Sequence, residues 1–502
     1  MPEKRQPSQV KFFLNWAVLL GLTWASPNQA AASVQVEYKT SRMQGLVEFA
    51  LALADPQRHA PALSEIFNRS EEKNPEVLKA VQTVQSVVNR LPRGIDFPSS
   101  VSNRQLGYSV LDLILAQSVY AKDLVDLSQR ILGLMPLSDH RQLVTALARL
   151  ESVYSRLIWE PNKQALLEHQ KKLEVMAQAV NLNDMFQKAM TFYGGNWPPD
   201  VPFVIALFPV PALSRFQNST TSHSIGSVEI HGVQTGGNED DLQGSFGVIF
   251  HELCHSLYGS QSGEVMKQFD SYFRKNKSPF RRPALAWADE AIATALGNGW
   301  AYAKVNQQNL DSNDWYNNKI IAGYAKAIYP VVKSYIETGK SMDADFVNQM
   351  IDQFTRHFPN SLYNFENVLS HTTVLHQSSL FESSQLKSIL RKRFPILQYN
   401  SSSPLVDPES IASARDENSL LFVVIKPTEI DSLARLAEEI PFLKEKLPAL
   451  RHMPSRSYFA ALDATARPYI IAKISSKEDL VLALDAMKSA QVIDPKTAVR
   501  SF

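Results

Sequence analysis

The stretch Phe246-Gly-Val-Ile-Phe-His-Glu-Leu-Cys-His-Ser256 constrains this chain more than any other, because it sets three ionisable residues into an apolar segment. Val248, Ile249, Phe250, Leu253 and Leu257 follow the spacing of a buried helix face, so the segment predicts a core helix. On such a helix His251 and His255, four residues apart, project from one face and can share one ion about 2.0–2.1 Å from each ring nitrogen. Glu252 is turned slightly off that axis, which suits a base that takes a proton from ion-activated water better than it suits a ligand. Two imidazoles and a carboxylate on a buried helix are costly unless something pairs with them. A divalent cation would pair with all three.

Two histidines do not complete a zinc site, which needs a third protein ligand and one open position. Downstream, Trp287-Ala-Asp-Glu-Ala-Ile-Ala-Thr-Ala-Leu-Gly297 is alanine-rich, with Pro283 before it and Gly297 after it, and predicts a second helix with Glu290 facing inward. Together the two segments resemble the gluzincin branch of the zincin metallopeptidases, in which a second helix presents a glutamate, often within Trp-x-x-Glu, as third ligand. The resemblance implies Zn²⁺ held by His251, His255 and Glu290, with Glu252 as general base; it favours Glu290 over the adjacent Asp289. It spans roughly residues 246 to 297, about a tenth of the chain. One departure is Thr294, where many relatives carry an aspartate that orients a ligand histidine, a kind of partner typically worth about 10–100-fold in metal affinity or activity. The branch with a third histidine is excluded, because Tyr258 and Gln261 stand where its glycine and histidine belong.

At 502 residues, 44% of them apolar, the chain is long enough for two or three domains. Its net charge is +1. Lys4, Arg5 and Lys11 against Glu3 give the first 32 residues +2, so the remainder carries −1. No polybasic surface is implied, which argues against nucleic acid as a partner. Residues 1–32 read as a secretory signal peptide: a basic start, an apolar run from Phe12 to Ala25, and small residues through Ala30-Ala-Ala32. The run is shorter than the roughly 20 residues a membrane helix needs, so cleavage is expected in preference to a membrane anchor. The mature chain is then exported to a bacterial periplasm or secreted. Cys254 is the only cysteine, so no internal disulfide can form; between Glu252 and His255 it reads as a small apolar packing residue.

From Ser33 to about Gly194 the pattern is helical, an ordinary subdomain, a wall of a substrate cleft or a propeptide. Tyr193-Gly-Gly-Asn-Trp-Pro-Pro199 ends it. Val201–Phe208 and Ile225–Val233 read as strands, the second as a candidate edge strand for an extended peptide, with His223 and His231 in or near it. Gly259-Ser-Gln-Ser-Gly263 is no serine-hydrolase elbow, since its central residue is Gln261. Trp315–Ile336 reads as a long helix whose Tyr324 and Tyr316 are candidates to hydrogen-bond the oxyanion of a tetrahedral intermediate. His371 and His376 are further possibilities. Gln398–Ser419 reads as a linker. Beyond it, strand, helix, two strands and a helix opened by the capping box Ser475-x-x-Glu478 suggest a ferredoxin-like unit.

The expected fold is therefore α+β and mostly helical: a helical region over 33–195, a zincin-like metallopeptidase domain with a small twisted sheet over 196–397, a linker over 398–419 and a small α+β accessory domain over 420–502. The expected function is an exported zinc-dependent metallopeptidase acting on a peptide or protein substrate. The alternatives are a zinc hydrolase of a non-peptide amide or ester, and a non-catalytic binding protein with a structural zinc site.

Overall fold

In the computed structural model, the described residues are 35–502 except 57–58, 93–108, 214–221, 237–240, 307–314, 378–380 and 416–417. The signal read over residues 1–32 lies outside them. Among the described residues no helix is long and apolar enough to cross a membrane. The chain is α+β, helices outnumbering strands, with two sheets.

The first sheet is built from β1 (Val36–Thr40), β2 (Phe203–Pro211), β3 (Ser222–Ile225) and β4 (Val228–Thr235), in the order β1-β2-β4-β3. β1, β2 and β4 run parallel, and β3 is antiparallel to β4. The central strand β2 reads Phe-Val-Ile-Ala-Leu-Phe-Pro-Val-Pro, a continuous apolar run of the kind that both faces of a covered sheet require. Alternation then sorts its side chains. Val204, Ala206 and Phe208, with Ile230 of β4, pack into the helices of the N-terminal region. Phe203, Ile205 and Leu207, with Val233, pack against the helix Leu242–Gly259, which carries His251 and His255.

Two expectations change here. The N-terminal region is not helical throughout, because Val36–Thr40 pairs with β2 in register Val36↔Phe203 and closes one side of the sheet. Ile225–Val233 is not one edge strand but a hairpin. Its chain reverses at Gly226, which has φ +61°, and β4 is paired on both flanks, leaving β3 as the edge.

The second sheet joins β5 (His371–His376), β6 (Gln398–Ser402), β7 (Leu420–Ile425), β8 (Ser457–Leu462), β9 (Pro468–Lys473) and β10 (Val499–Ser501), in the order β10-β8-β9-β7-β5-β6. The linker expected over 398–419 is therefore a correction: its first residues form β6 and Pro408–Ala414 forms a helix. The polar composition of Gln-Tyr-Asn-Ser-Ser suits β6 because it is a sheet margin with partly exposed side chains. The ferredoxin-like expectation is corrected too. β8, β9 and β7 follow its order, but β5 lies beside β7 in parallel, where that unit has an antiparallel strand. The last long helix, Lys477–Ala490, is capped by Ser476, whose hydroxyl accepts from the Asp479 amide, one residue on from the capping box read in the sequence.

Candidate metal centre

The helix Leu242–Gly259 starts at Asp241, whose carboxylate accepts from the Gly244 amide. Ile249, Phe250, Leu253, Cys254 and Leu257 are fully or almost fully buried, so core packing fixes the rotation of the helix and with it the direction of His251 and His255. The second helix, Ala288–Thr294, starts after Trp287 and brings Glu290 alongside. Gly297 does not stop this helix, as the sequence suggested. A π-helical stretch, Ala295–Ala301, carries it onward, and Gly297 sits where a Cβ would lie 2.6 Å from the backbone nitrogen and Cβ of His251 and from the Gly247 carbonyl oxygen. The glycine permits a close crossing of the two helices, not a turn.

At this crossing His251, His255 and Glu290 form a group that could hold a metal ion, each offering one ligand atom, all within 4.8 Å of one another. The two Nε2 atoms are 3.0 Å apart; Glu290 Oε2 lies 3.7 Å from that of His251 and Oε1 3.7 Å from that of His255. Tetrahedral bonds of about 2.0–2.1 Å separate donors by roughly 3.3 Å, which matches this spacing. The other ring nitrogens are held from behind. His255 Nδ1 faces Asp289 Oδ1 at 3.1 Å, and His251 bonds the backbone at Ala293, with Thr294 Oγ1 3.5 Å from its Nδ1. Donation from both Nδ1 atoms leaves two Nε2 lone pairs converging on one point, an arrangement a cation resolves. The donor set therefore fits an ion.

Without an ion, one proton sits between the two rings, on His255, and a cation would take its place. Burial, together with His255, depresses His251 to about 3, keeping it neutral. Burial opposes protonation of His255, but Asp289 and Glu290 outweigh it and raise His255 well above its ordinary value. Burial would raise Glu290, yet the charges and hydrogen bonds of His255, His251 and Tyr316 bring it to about 2, so it is a carboxylate. Glu252 is half-buried; burial raises its carboxyl, His255 and His223 oppose the rise, and Glu290 and Asp289 add to it.

The tyrosine candidates separate. Tyr316 precedes the helix Lys319–Glu337, stacks on His251 at 5.8 Å between ring centroids, and hydrogen-bonds Glu290. Tyr324 is excluded as an oxyanion donor, because it is buried against Phe354 and Phe358 and its hydroxyl donates to the Met350 carbonyl. Cys254 is buried beside Tyr193, with its thiol pushed well above the ordinary value by burial. His231 is fully buried inside β4 with its Nδ1 3.2 Å from Ser222 Oγ, so it contacts no substrate. His371 opens β5 and packs edge-on against Trp287 at 6.0 Å, which ties the second sheet to the Glu290 helix; His376 ends the same strand.

Sequence reasoning missed Asp289 as the partner of His255, although its position beside Glu290 at a helix start was visible. It also missed Glu229, fully buried in β4 behind Glu252, where burial and the charge of Glu252 hold its carboxyl well above the carboxylate range. Compared with family profiles, curated proteins and solved structures, the chain matches none.

Proposed function

We propose that this chain is an exported zinc-dependent metallopeptidase of gluzincin type, with His251, His255 and Glu290 as zinc ligands and Glu252 as general base. The observation that carries the reading is the convergence of two backed imidazole Nε2 atoms and one carboxylate beside an unligating glutamate. Zinc suits two imidazoles and one carboxylate, and a structural site would be closed by a fourth protein ligand, whereas the group has three members among the described residues.

When bound, Zn²⁺ polarises a carbonyl and acidifies water. Glu252 takes the proton from the attacking water and delivers it to the leaving amine, a contribution of about 10²–10⁴ in rate. Asp289 orients His255, and Tyr316 orients Glu290 through its hydroxyl. Burial raises the proton affinity of Glu252, which suits a base.

Elemental analysis and a mixed peptide library test this together. The wild type should carry one zinc per chain and cleave peptides. Glu290→Ala should lose or weaken the zinc, and Glu252→Gln should keep it while turnover falls about 10²–10⁴-fold. A wild type that takes up no metal after zinc loading would refute the reading.

A further inference from the structure

Where the second sheet meets the segment leading to Glu290, a small pocket opens on one side. Its walls are the helix Arg281–Ala286, the turn at Ser361 and Leu362, the helix Phe365–Leu369 and the first residues of β5, β7 and β9. None of its lining residues belongs to the group His251, His255 and Glu290. Two contacts fix it to its surroundings. Arg282 donates to the Thr465 carbonyl just ahead of β9, and His371 packs edge-on against Trp287.

Three features set what the pocket can hold. Among the described residues that line it, Arg282 is the only charged one, 6% exposed, and no aspartate or glutamate joins it. His371 adds no second charge, because burial brings it down to about 4 and its Nδ1 stands 3.0 Å from the Ser370 hydroxyl. Ser361 Oγ and Asn367 Oδ1 are buried with no hydrogen-bond partner, in residues that are 4% and 9% exposed. Orphaned buried groups of this kind are costly, so both call for a partner from outside the chain. Water can serve a hydroxyl and an amide, but it brings no negative charge to a guanidinium, whose planar fork matches a carboxylate. Asn367 Oδ1 accepts and cannot donate, so the partner must also carry an N–H. A carboxylate with an N–H one carbon away meets all three demands.

We propose that this pocket binds an α-amino carboxylate, either a free amino acid or the C-terminal residue of a peptide. Its carboxylate lies against Arg282 and the Ser361 hydroxyl, and its N–H donates to Asn367 Oδ1; the open side of the pocket accommodates the rest of the molecule. Bound there, it joins the helix that leads to Trp287 to the segment that enters β5. The pocket stands whether or not the metal centre cleaves peptides.

The test is calorimetric titration of the full chain, with and without added zinc, using four probes. Glycine and N-acetylglycine carry both groups, acetate lacks the N–H, and N-acetylglycinamide lacks the carboxylate. One or both of the first two should bind at least about 10-fold more tightly than acetate and raise the melting temperature saturably, while N-acetylglycinamide should not bind. Preference for glycine identifies a free amino acid as the ligand, and preference for N-acetylglycine a peptide C-terminus. Asn367→Ala should bring both down to the affinity of acetate, and Arg282→Gln should lose all three carboxylates; if Arg282→Gln does not fold, Asn367→Ala decides alone. No binding of glycine or N-acetylglycine would leave the pocket to water and overturn the proposal. Equal binding of acetate, unchanged affinities in Asn367→Ala, or binding that appears only with zinc, which would place the carboxylate on the metal, would overturn it as well.

Discussion

At the scale of single residues, the candidate metal centre depends as much on what stands behind His251, His255 and Glu290 as on those three residues. Asp289 was read in the sequence as the weaker of two adjacent ligand candidates, and its carboxylate instead faces Nδ1 of His255 at 3.1 Å. It occupies the orienting role that the resemblance assigns to a different position, where this chain has Thr294. Asp289→Asn should therefore lower zinc affinity about 10–100-fold, measured by competition with a chelator, while the fold is unchanged. An unchanged affinity would show that His255 needs no anionic support. Glu290 is marked in the sequence by the resemblance of Trp287-Ala-Asp-Glu290 to Trp-x-x-Glu on an expected helix; no local spacing reaches from Glu290 to Tyr316.

At the scale of elements, the crossing of two helices decides the geometry of the site. Gly297 looked like a helix stop because glycine usually is one, yet its lack of a side chain is used against His251 and Gly247. Gly297→Ala should force the helices apart, costing about 1–3 kcal/mol, with a lower melting temperature and weaker zinc binding. Wild-type stability with wild-type zinc affinity would show that the crossing can relax. The strand β4 makes a separate prediction. Burial holds His231 near 3, below the roughly 6.5 of an unfolded chain, so the unfolded state binds the extra proton between those values. Stability is thus complete above about pH 6.5 and lost as the pH falls, by about 2 kcal/mol at pH 5 from this residue. Chemical denaturation of wild type and His231→Asn at pH 7 and pH 5 should show a smaller acid loss in the variant. An equal loss in both would mean that His231 is protonated in the folded state.

At the scale of the whole molecule, the two sheets bind distant stretches of chain into the site's surroundings. β1 comes from the region that reads as a separate helical domain, yet it is the outer strand beside β2. Removing residues 35–41 should expose the margin of β2 and abolish soluble, zinc-binding protein; a truncated chain that folds and binds zinc would restore the propeptide reading. The second sheet reaches the centre through His371 against Trp287 and through Arg282, which donates to the Thr465 carbonyl.

The sequence by itself determined the motif helix with its two histidines and the second helix, because these rest on local periodicity and on the cost of burying polar groups, while the choice of Glu290 came from the resemblance of its surroundings to Trp-x-x-Glu. It also located β2, β7, β8 and β9, whose apolar runs suit covered strands. The tertiary structure alone decided that Val36–Thr40 and Gln398–Ser402 are strands, since neither segment has a strong pattern and each is held by hydrogen bonds to a neighbour far away in sequence. It alone separated Tyr316 from Tyr324, two tyrosines eight residues apart, by placing one against Glu290 and the other in the core. Pairing and proximity between remote segments are set by how the whole chain packs, and local spacing carries no record of them.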